Sequence, residues 1–341
     1  MSLKLMAWDH CRYVKNKEKP YDEMARHLEK CSQNGLSLMN VYMPEVISLD
    51  DYCRAAKANG IEVEARIFPA WNNPAPICRT LTAGQWTDME NEFGIKLAGT
   101  CGNSPKNREN FVKIADALTE EYKDRIVSLH LDFIRNDNAL TQLDYPCACE
   151  ACRSFRKRFF GFEVPSPAQR RDPAILYKEL EFRNRNITEM VCDVRKITNK
   201  RGLGLSIAAR ANYINSLDIT APPVWGLGPA VIEGQDWVQW AEDGLVDAVY
   251  PMNYHTDFMK FKSVLSDHIR LLNGTKVKLY PGIGVSSSMG VNSPSRIADY
   301  LQLVEKRGLN GVVFFNKTNI YSDDYFAVFK RYGRACENDG L

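Results

Sequence analysis

The chain lacks the signature motifs of several common enzyme classes. It has no Gly-x-Ser-x-Gly elbow and no His-Glu-x-x-His metal motif. No Gly-rich phosphate turn follows the first strand-like run, which continues as Trp8-Asp9-His10-Cys11-Arg12. These absences argue against an α/β-type serine hydrolase, a metalloprotease with that motif and a dinucleotide-binding domain, and we expect no organic cofactor.

Long runs of one kind of residue are also missing. The net charge is +2 and no long basic block occurs, which argues against nucleic acid as the main partner. No apolar run approaches the length of a membrane span. Residues 1–6 lead directly into a strand-like run, so no signal peptide is visible. The compartment stays open, including a secreted or periplasmic natural protein whose leader has been removed.

Short apolar runs alternate with amphipathic segments along the chain. The apolar runs predict eight strands, at residues 3–10, 36–43, 61–68, 126–134, 203–209, 246–252, 276–283 and 311–315. The amphipathic segments predict helices at 20–34, 48–59, 108–124, 174–201, 236–243, 257–272, 294–307 and 323–336. Glycines such as Gly35 and Gly202 follow these segments, as is typical of helix ends.

Eight strands alternating with helices is the pattern of a (β/α)8 barrel, the TIM barrel. We expect a single α/β barrel domain over residues 1–341, with long loops after strands three and four at about 69–107 and 135–173. A doubly wound open sheet is the structural alternative, and the missing Gly-rich turn disfavours it.

Polar and aromatic side chains collect where the predicted strands end, which is where barrels place their active sites. Aromatic rings beside carboxylates, amides and arginines suit a sugar, because its apolar face stacks and its hydroxyls need polar partners. The sequence therefore predicts a carbohydrate substrate. The candidate substrate-binding residues are Trp8, His10, Tyr42, Arg66, Trp71, Arg135, Arg210, Asn253, Tyr254 and Asn316.

Four of the ten cysteines predict a metal site. Cys147, Cys149 and Cys152 form a C-x-C-x-x-C motif, a spacing that is rare by chance, and Cys101 lies upstream in the other long loop. One short loop can present three thiolates to one ion, and Cys101 would complete the tetrahedral shell of a structural zinc. A disulfide or a set of free thiols are the alternatives.

Two segments resemble a known family. Residues 129–135, which include His130 and Asp132, resemble the strand-four segment of glycosyl hydrolase-like barrels. Residues 234–254 closely resemble the signature of glycosyl hydrolase-like family 10, which runs from Gln-Asp-Trp to Pro-Met-x-Tyr. The chain departs from the family at Phe133, where Tyr or Asp is usual, and its seventh strand ends without a carboxylate.

This resemblance implies a (β/α)8 barrel that hydrolyses glycosidic bonds in a polysaccharide or a peptidoglycan-type glycan. It carries over Asp132 as the strand-four acid, with Asp236, Asn253 and Tyr254 in the signature segment. Glycoside hydrolysis ordinarily uses two carboxyl groups, and the candidates for the second are Asp9, Glu64 and Asp236.

Two other functions stay open. One is a non-catalytic carbohydrate-binding barrel built on the same pocket. The other is a phosphate-sugar isomerase or aldolase, for which Gly282-Ile283-Gly284 would be the phosphate site.

The cysteines are similar to those of a different barrel family, the family 42 β-galactosidases. In that family a C-x-C-x-x-C follows strand four and a fourth cysteine follows strand three. The likeness implies a zinc ion that joins the loops after strands three and four.

Overall fold

A computed structural model describes residues 2–11, 13–16, 18–42, 47–69, 102–135, 149–166, 168–211, 233–316 and 322–333. Within these ranges the strands are β1 (Lys4–Asp9), β2 (Leu36–Tyr42), β3 (Glu62–Ile67), β4 (Ser128–Leu131), β5 (Gly204–Ala209), β6 (Ala248–Pro251), β7 (Lys278–Leu279), β8 (Gly282–Ser287), β9 (Gly290–Val291) and β10 (Gly311–Asn316). The helices are α1 (Pro20–Gln33), α2 (Leu49–Ala58), α3 (Pro105–Tyr122), α4 (Glu150–Phe160), α5 (Pro173–Lys200), α6 (Trp237–Glu242), α7 (Phe258–Leu271), α8 (Pro294–Lys306) and α9 (Asp323–Tyr332). None of these described helices has both the length and the apolar character that crossing a membrane requires.

The parallel strands close into a ring. β1 pairs with β2 on one side and with β10 on the other, and the remaining strands follow in chain order as far as β7. β7 pairs with β6, whereas β8, which begins after a gap of two residues, pairs with β10. Between them Tyr280 donates its N–H to the carbonyl of Val249 at 3.1 Å, and the carbonyl of Pro281 accepts from Val313 at 3.2 Å. The predicted (β/α)8 barrel is confirmed.

The predicted seventh strand, 276–283, consists of two strands. Pro281 has no N–H to donate, so the ladder cannot run unbroken through it. β8 extends beyond the predicted end and turns back through β9 in an antiparallel hairpin. The prediction missed this extension because residues 286–288 are serines, which give no apolar strand signal.

Strand side chains alternate between the helix layer and the barrel interior. Outward residues such as Leu5, Val41 and Leu129 belong to the main apolar core under the helices. The inward apolar residues form a separate cluster that is rich in aromatic rings: Met6, Trp8, Leu38, Ala208, Ala248, Tyr250, Tyr254, Tyr280 and Val313.

Gly282 gives the Trp8 indole its space inside the barrel. A Cβ at this position would lie 2.8 Å from the carbonyl oxygen of Pro251 and 3.2 Å from the Trp8 ring. With no side chain there, Trp8 lies among Tyr250 and Tyr254, each with its ring centroid 6.1 Å away in an edge-on arrangement. The packing of the aromatic cluster inside the barrel therefore depends on this glycine.

The second predicted loop contains a helix that sequence analysis missed. α4 begins after Cys149 and ends just before Gly161, which has a φ of 78°. Its Phe155 stacks on Phe182 of α5 with the ring centroids 4.1 Å apart. Many of its residues are charged, which obscured its apolar period. The first predicted loop is described from residue 102 onward, and α3 begins at Pro105 rather than at 108.

Candidate active site

Asp132 lies in the barrel mouth, directly after β4. Its carboxylate Oδ2 is 3.6 Å from a guanidinium nitrogen of Arg66, and its Oδ1 accepts the N–H of Phe133 at 2.8 Å. Burial raises the pKa of Asp132, while Arg66, the Phe133 N–H and Arg135 oppose that rise. A carboxyl group that stays protonated at a pH above its usual pKa is suited to general acid catalysis.

Asp132 and Arg66 are surrounded by side chains that follow β1 and β6. Arg66 approaches Nδ1 of His10 through a guanidinium nitrogen at 3.1 Å. Burial, and then the nearby Asp132 carboxylate, raise the pKa of Tyr254 well above its usual value, so this side chain stays a neutral phenol. The Tyr254 ring stacks on Phe315 with the centroids 4.8 Å apart. The surroundings of Asp132 therefore include the Arg66 cation, the Tyr254 phenol and an aromatic wall.

Glu64 lies in the barrel interior and accepts three hydrogen bonds. Its Oε1 accepts from Tyr250 at 2.8 Å and from Ser206 at 3.1 Å, and its Oε2 accepts from Asn40 at 2.9 Å. Burial raises the pKa of Glu64, and these three donors oppose the rise. Only 3% of the residue is exposed. Its carboxyl group links β3 to β2, β5 and β6 inside the barrel.

His130 connects this interior network to Trp8. The Trp8 indole N–H donates to Nε2 of His130 at 3.3 Å, so Nε2 is an acceptor and Nδ1 carries the proton. Nδ1 lies 2.9 Å from the Ser206 hydroxyl, which in turn donates to Glu64. Burial, and then Arg66, lower the pKa of His130 well below its usual value. His130 is thus a neutral core histidine.

Asp9 lies on the opposite face of the sheet from Asp132. It shares the alternation of Leu5 and Ala7, which pack under the helices. Its Oδ2 accepts from Tyr52 of α2 at 2.6 Å and from Tyr13 at 3.1 Å, and its Oδ1 accepts the N–H of Cys11 at 2.7 Å. The predicted pairing of Asp9 with Asp132 finds no geometric support.

Glu233 is a carboxylate at the mouth that sequence analysis missed. It is 1% exposed and accepts two hydrogen bonds from Arg210, at 2.7 and 2.8 Å. Its Oε2 also lies 3.4 Å from Nε of Arg135. Glu233 therefore holds two predicted substrate-binding arginines, from the ends of β4 and β5. Two arginines at adjacent strand ends indicate that a carboxylate lies nearby. That was the sequence signal that could have identified Glu233.

The Gln-Asp-Trp segment fixes the chain after β5. Gln235 accepts the N–H of Arg210 at 2.7 Å and donates to the carbonyl of Ala208 at 3.0 Å. Trp237 donates its indole N–H to the carbonyl of Arg210 at 3.2 Å. Asp236, a predicted catalytic residue, caps α6 by accepting the N–H of Gln239 at 3.3 Å. The described contacts of this signature segment are those of a scaffold for Glu233 and Arg210.

The other predicted residues lie at strand ends with different surroundings. Tyr42 stacks on Phe68 with the centroids 4.9 Å apart, beside the mouth. Asn253 is buried and donates to the carbonyl of Phe261 in α7 at 3.0 Å, so its amide faces away from Asp132. Asn316 is the last residue of β10, and Trp71 lies outside the described residues.

Gly282-Ile283-Gly284 lies within β8, where its backbone pairs with β10. The carbonyl of Gly284 also accepts the Asn292 side chain at 2.7 Å. The segment is part of the barrel wall, which disfavours a phosphate site there.

Two of the four predicted zinc ligands, Cys149 and Cys152, lie within the described residues. Both are buried at the start of α4, whereas Cys101 and Cys147 lie outside the described residues. Asn103 donates to the Cys152 sulfur at 3.3 Å. In the described part of the chain, no three potential metal ligands come together.

Comparisons with known proteins identify the fold but not the family. No family model and no curated protein matches the chain. The glycoside hydrolase domain of PgaB (BpsB) from Bordetella bronchiseptica is 12% identical with a TM-score of 0.62, over 96% of each chain. A class V chitininase from Pseudomonas fluorescens Pf-5 is 10% identical with a TM-score of 0.55, over 96% of this chain and 99% of that one.

A GH18 chitinase from Cycas revoluta, solved in complex with (GlcNAc)3, also shares the fold. It is 12% identical with a TM-score of 0.51, over 99% of this chain and 100% of that one. The chain therefore has the barrel fold of glycoside hydrolase domains. The comparisons support neither the assignment to family 10 nor the zinc site.

If Arg135 and Arg210 bind a sugar, as the sequence predicts, Glu233→Gln should weaken that binding more than it slows any turnover. A neutral amide holds the two arginines without charge and by fewer hydrogen bonds, so both lose their alignment. We expect KM to rise about tenfold, the size of one charge-assisted hydrogen bond. Steady-state kinetics on an oligosaccharide substrate will measure it.

Glu179→Gln is the matched control for this variant. Glu179 pairs with the buried Arg156, and this pair links α4 to α5. The control disturbs a buried ion pair without touching the mouth. An unchanged KM in Glu233→Gln, or an equal rise in the control, would contradict the role given to Glu233.

Proposed function

We propose that this chain is a glycoside hydrolase that cleaves poly- or oligosaccharides, with Asp132 as its proton donor. The observation that carries the proposal is the buried carboxyl group at the mouth, 3.6 Å from Arg66, with a pKa raised by burial. The aromatic surroundings of Tyr254 and Phe315 suit a sugar ring. The fold shared with glycoside hydrolase domains supports it.

Asp132 would act by giving its proton to the glycosidic oxygen as the bond to the anomeric carbon breaks. The leaving sugar then departs as a neutral alcohol, and Asp132 is left as a carboxylate. Arg66 and the Phe133 N–H stabilise that carboxylate, since both already face its two oxygens. Tyr254 keeps its proton and remains a hydrogen-bond donor beside it.

The anomeric carbon needs a nucleophile as the glycosidic bond breaks, and a water molecule must then displace that nucleophile while the Asp132 carboxylate takes the proton of the water. The described hydrogen bonds of Asp9, Glu64, Asp236 and Glu233 are with groups other than Asp132, so these contacts do not by themselves supply a carboxylate pair. One protein carboxyl group is sufficient for hydrolysis when the substrate supplies its own nucleophile, as in substrate-assisted glycosidases. We therefore place N-acetylated sugars first among the substrates, a choice that the chitinases among the structural neighbours support.

The test compares N-acetylglucosamine oligosaccharides with the same oligosaccharides after removal of the acetyl groups. Chromatography of the products will measure cleavage. Substrate assistance predicts that only the acetylated chains are cut, whereas a carboxylate pair predicts that both are cut. If the protein cleaves no glycan in a wider panel that includes cello- and xylo-oligosaccharides, the proposed function is wrong.

A non-catalytic carbohydrate-binding barrel is the second candidate. The contacts described for Asp9, Glu64 and Asp236 favour it, because these contacts are with groups other than Asp132. Binding without turnover, unchanged in Asp132→Asn, would establish this alternative.

We also propose that Cys101, Cys147, Cys149 and Cys152 bind one structural zinc. Support comes from the two described cysteines, which are buried within one turn of each other, and from Asn103, which lies two positions after Cys101 and contacts Cys152. A bound zinc would supply no step of the reaction. It would join the loops after β3 and β4.

The zinc proposal predicts about one zinc per chain in protein purified under reducing conditions, measured by elemental analysis. Cys152→Ser should lose the metal and unfold at a lower temperature, because the binding energy of a structural zinc is partly folding energy. Cys192→Ser, at a half-buried cysteine of α5, should keep it. A metal-free wild-type protein would overturn the proposal.

A further inference from the structure

Phe133, the residue after Asp132, has a conformation that is rare for its type. Its φ is 49°, in the left-handed region that side chains with a Cβ seldom adopt. The residue is also 49% exposed, so its ring gains little from burial. A strained backbone and an exposed aromatic ring at one residue are both unfavourable, and such strain concentrates at functional sites.

Local contacts hold this conformation. The Phe133 N–H donates to Oδ1 of Asp132 at 2.8 Å, and its carbonyl accepts the N–H of Arg135 at 2.7 Å. The Arg135 guanidinium lies 4.6 Å from the centroid of the Phe133 ring. The ring is therefore fixed by the same residues that surround the carboxyl group.

Phe133 continues an aromatic arc along the ends of β2, β3 and β4. We define the arc as Tyr42, Phe68 and Phe133. Tyr42 stacks on Phe68, and Phe68 meets Phe133 edge-on with the centroids 5.4 Å apart. Arg66 lies 5.5 Å from the Phe68 centroid, so the arc borders the cation that faces Asp132.

We propose that Phe133 is the stacking platform for a sugar ring bound next to the glycosidic bond that Asp132 protonates. The inference rests on the proposed function and names a residue that selects the substrate. Arg66 contacts both the Asp132 carboxylate and the Phe68 ring, and Phe68 meets the Phe133 ring, so a sugar stacked on Phe133 lies on the side of the mouth that holds the acid. The C–H groups on one face of a pyranose suit the exposed side of a phenyl ring.

This placement predicts an effect that depends on substrate length. A substrate that reaches Phe133 gains affinity from the ring, and a shorter one does not. Phe133→Ala keeps the backbone N–H that Asp132 uses, so it removes the platform without removing the hydrogen bond to the acid.

The experiment measures KM and kcat, and Kd by calorimetry, for N-acetylglucosamine and cello-oligosaccharides of two to six units. We expect Phe133→Ala to raise KM and Kd about tenfold for chains that span the platform, as loss of one aromatic contact implies. The value of kcat should change by less than about threefold. Phe133→Trp, which restores an aromatic face, should recover most of the affinity.

Phe159→Ala is the control, because Phe159 is also 49% exposed but belongs to α4. Unchanged KM and Kd in Phe133→Ala, an equal loss in the control, or a fall in kcat alone would overturn the platform. If the wild type binds but does not cleave, and Phe133→Ala loses that binding, the platform stands and the proposed hydrolase fails. If the wild type neither binds nor cleaves any of these oligosaccharides, the platform is overturned, and the proposed hydrolase is overturned as well when the wider glycan panel is also uncut.

Discussion

Asp132→Asn is expected to abolish glycoside hydrolysis and to leave the fold intact. Asparagine has the size of aspartate, and its carbonyl oxygen can still accept the Phe133 N–H, but it has no proton to give. General acid catalysis contributes about 10²–10⁴-fold, so kcat should fall by that factor. Kinetics on a natural linkage measures the loss, and circular dichroism verifies the fold.

A substrate with a good leaving group separates acid catalysis from binding. The 2,4-dinitrophenolate group of an aryl glycoside leaves without being protonated. Asp132→Asn should therefore slow the hydrolysis of this glycoside far less than the cleavage of a sugar–sugar bond. An equal loss on both substrates would show that Asp132 acts in another way. The wild-type rate should also fall as the pH rises through the Asp132 pKa, which burial raises above its usual value, and this limb should vanish in the variant.

Glu64→Ala is expected to have the largest effect on stability. It removes the acceptor of Tyr250, Ser206 and Asn40, and leaves three buried donors around a cavity. We expect the free energy of unfolding to fall by about 3–5 kcal/mol, as for other buried networks that lose one partner. Chemical denaturation at neutral pH measures the change.

Glu62→Ala is the control for that variant. Glu62 belongs to the same strand but pairs with Lys4 at the surface, and its side chain is 47% exposed. An exposed ion pair contributes about 0–1 kcal/mol, so the control should lose no more than that. Similar losses in the two variants would contradict the interior role of Glu64.

The pH dependence of stability has a defined sign at Glu64. Burial raises its pKa in the folded chain, so the folded state holds the proton more tightly than the unfolded state. The stabilisation from that proton is complete below the usual glutamate pKa, about 4.3, and is lost as the pH rises through the folded-state pKa. Glu64→Gln cannot titrate, and its stability should vary less with pH over this range.

The sequence predicted the order of elements well because each element has a local cause. Alternating apolar runs predicted the strands, and Gly35 and Gly202, with φ of 87° and 68°, do lie just beyond α1 and α5. Prediction from local pattern failed where the sequence departs from a regular strand or helix pattern. Pro281 divides the seventh strand, and the charged surface of α4 hid its apolar face.

The candidate site was predicted less completely, because a strand end does not reveal which face a side chain occupies. Asp9 and Trp8 are neighbours in sequence, yet only Trp8 faces the barrel interior. Glu233 follows a long segment without strong pattern, and only the three-dimensional structure pairs it with Arg210. Phe133 was noted only as a missing acid, because its backbone conformation cannot be read from residue type.

The closure of the ring has a consequence for how the protein is made. β1 receives its second neighbour only from β10, through pairs that begin at Lys4 and Gly311. During synthesis from the amino terminus, one edge of β1 therefore stays unpaired until β10, about 300 residues later, has emerged. Contacts so distant in sequence slow folding, and an open strand edge invites pairing with other chains. Efficient production will depend on protecting that edge until β10 arrives.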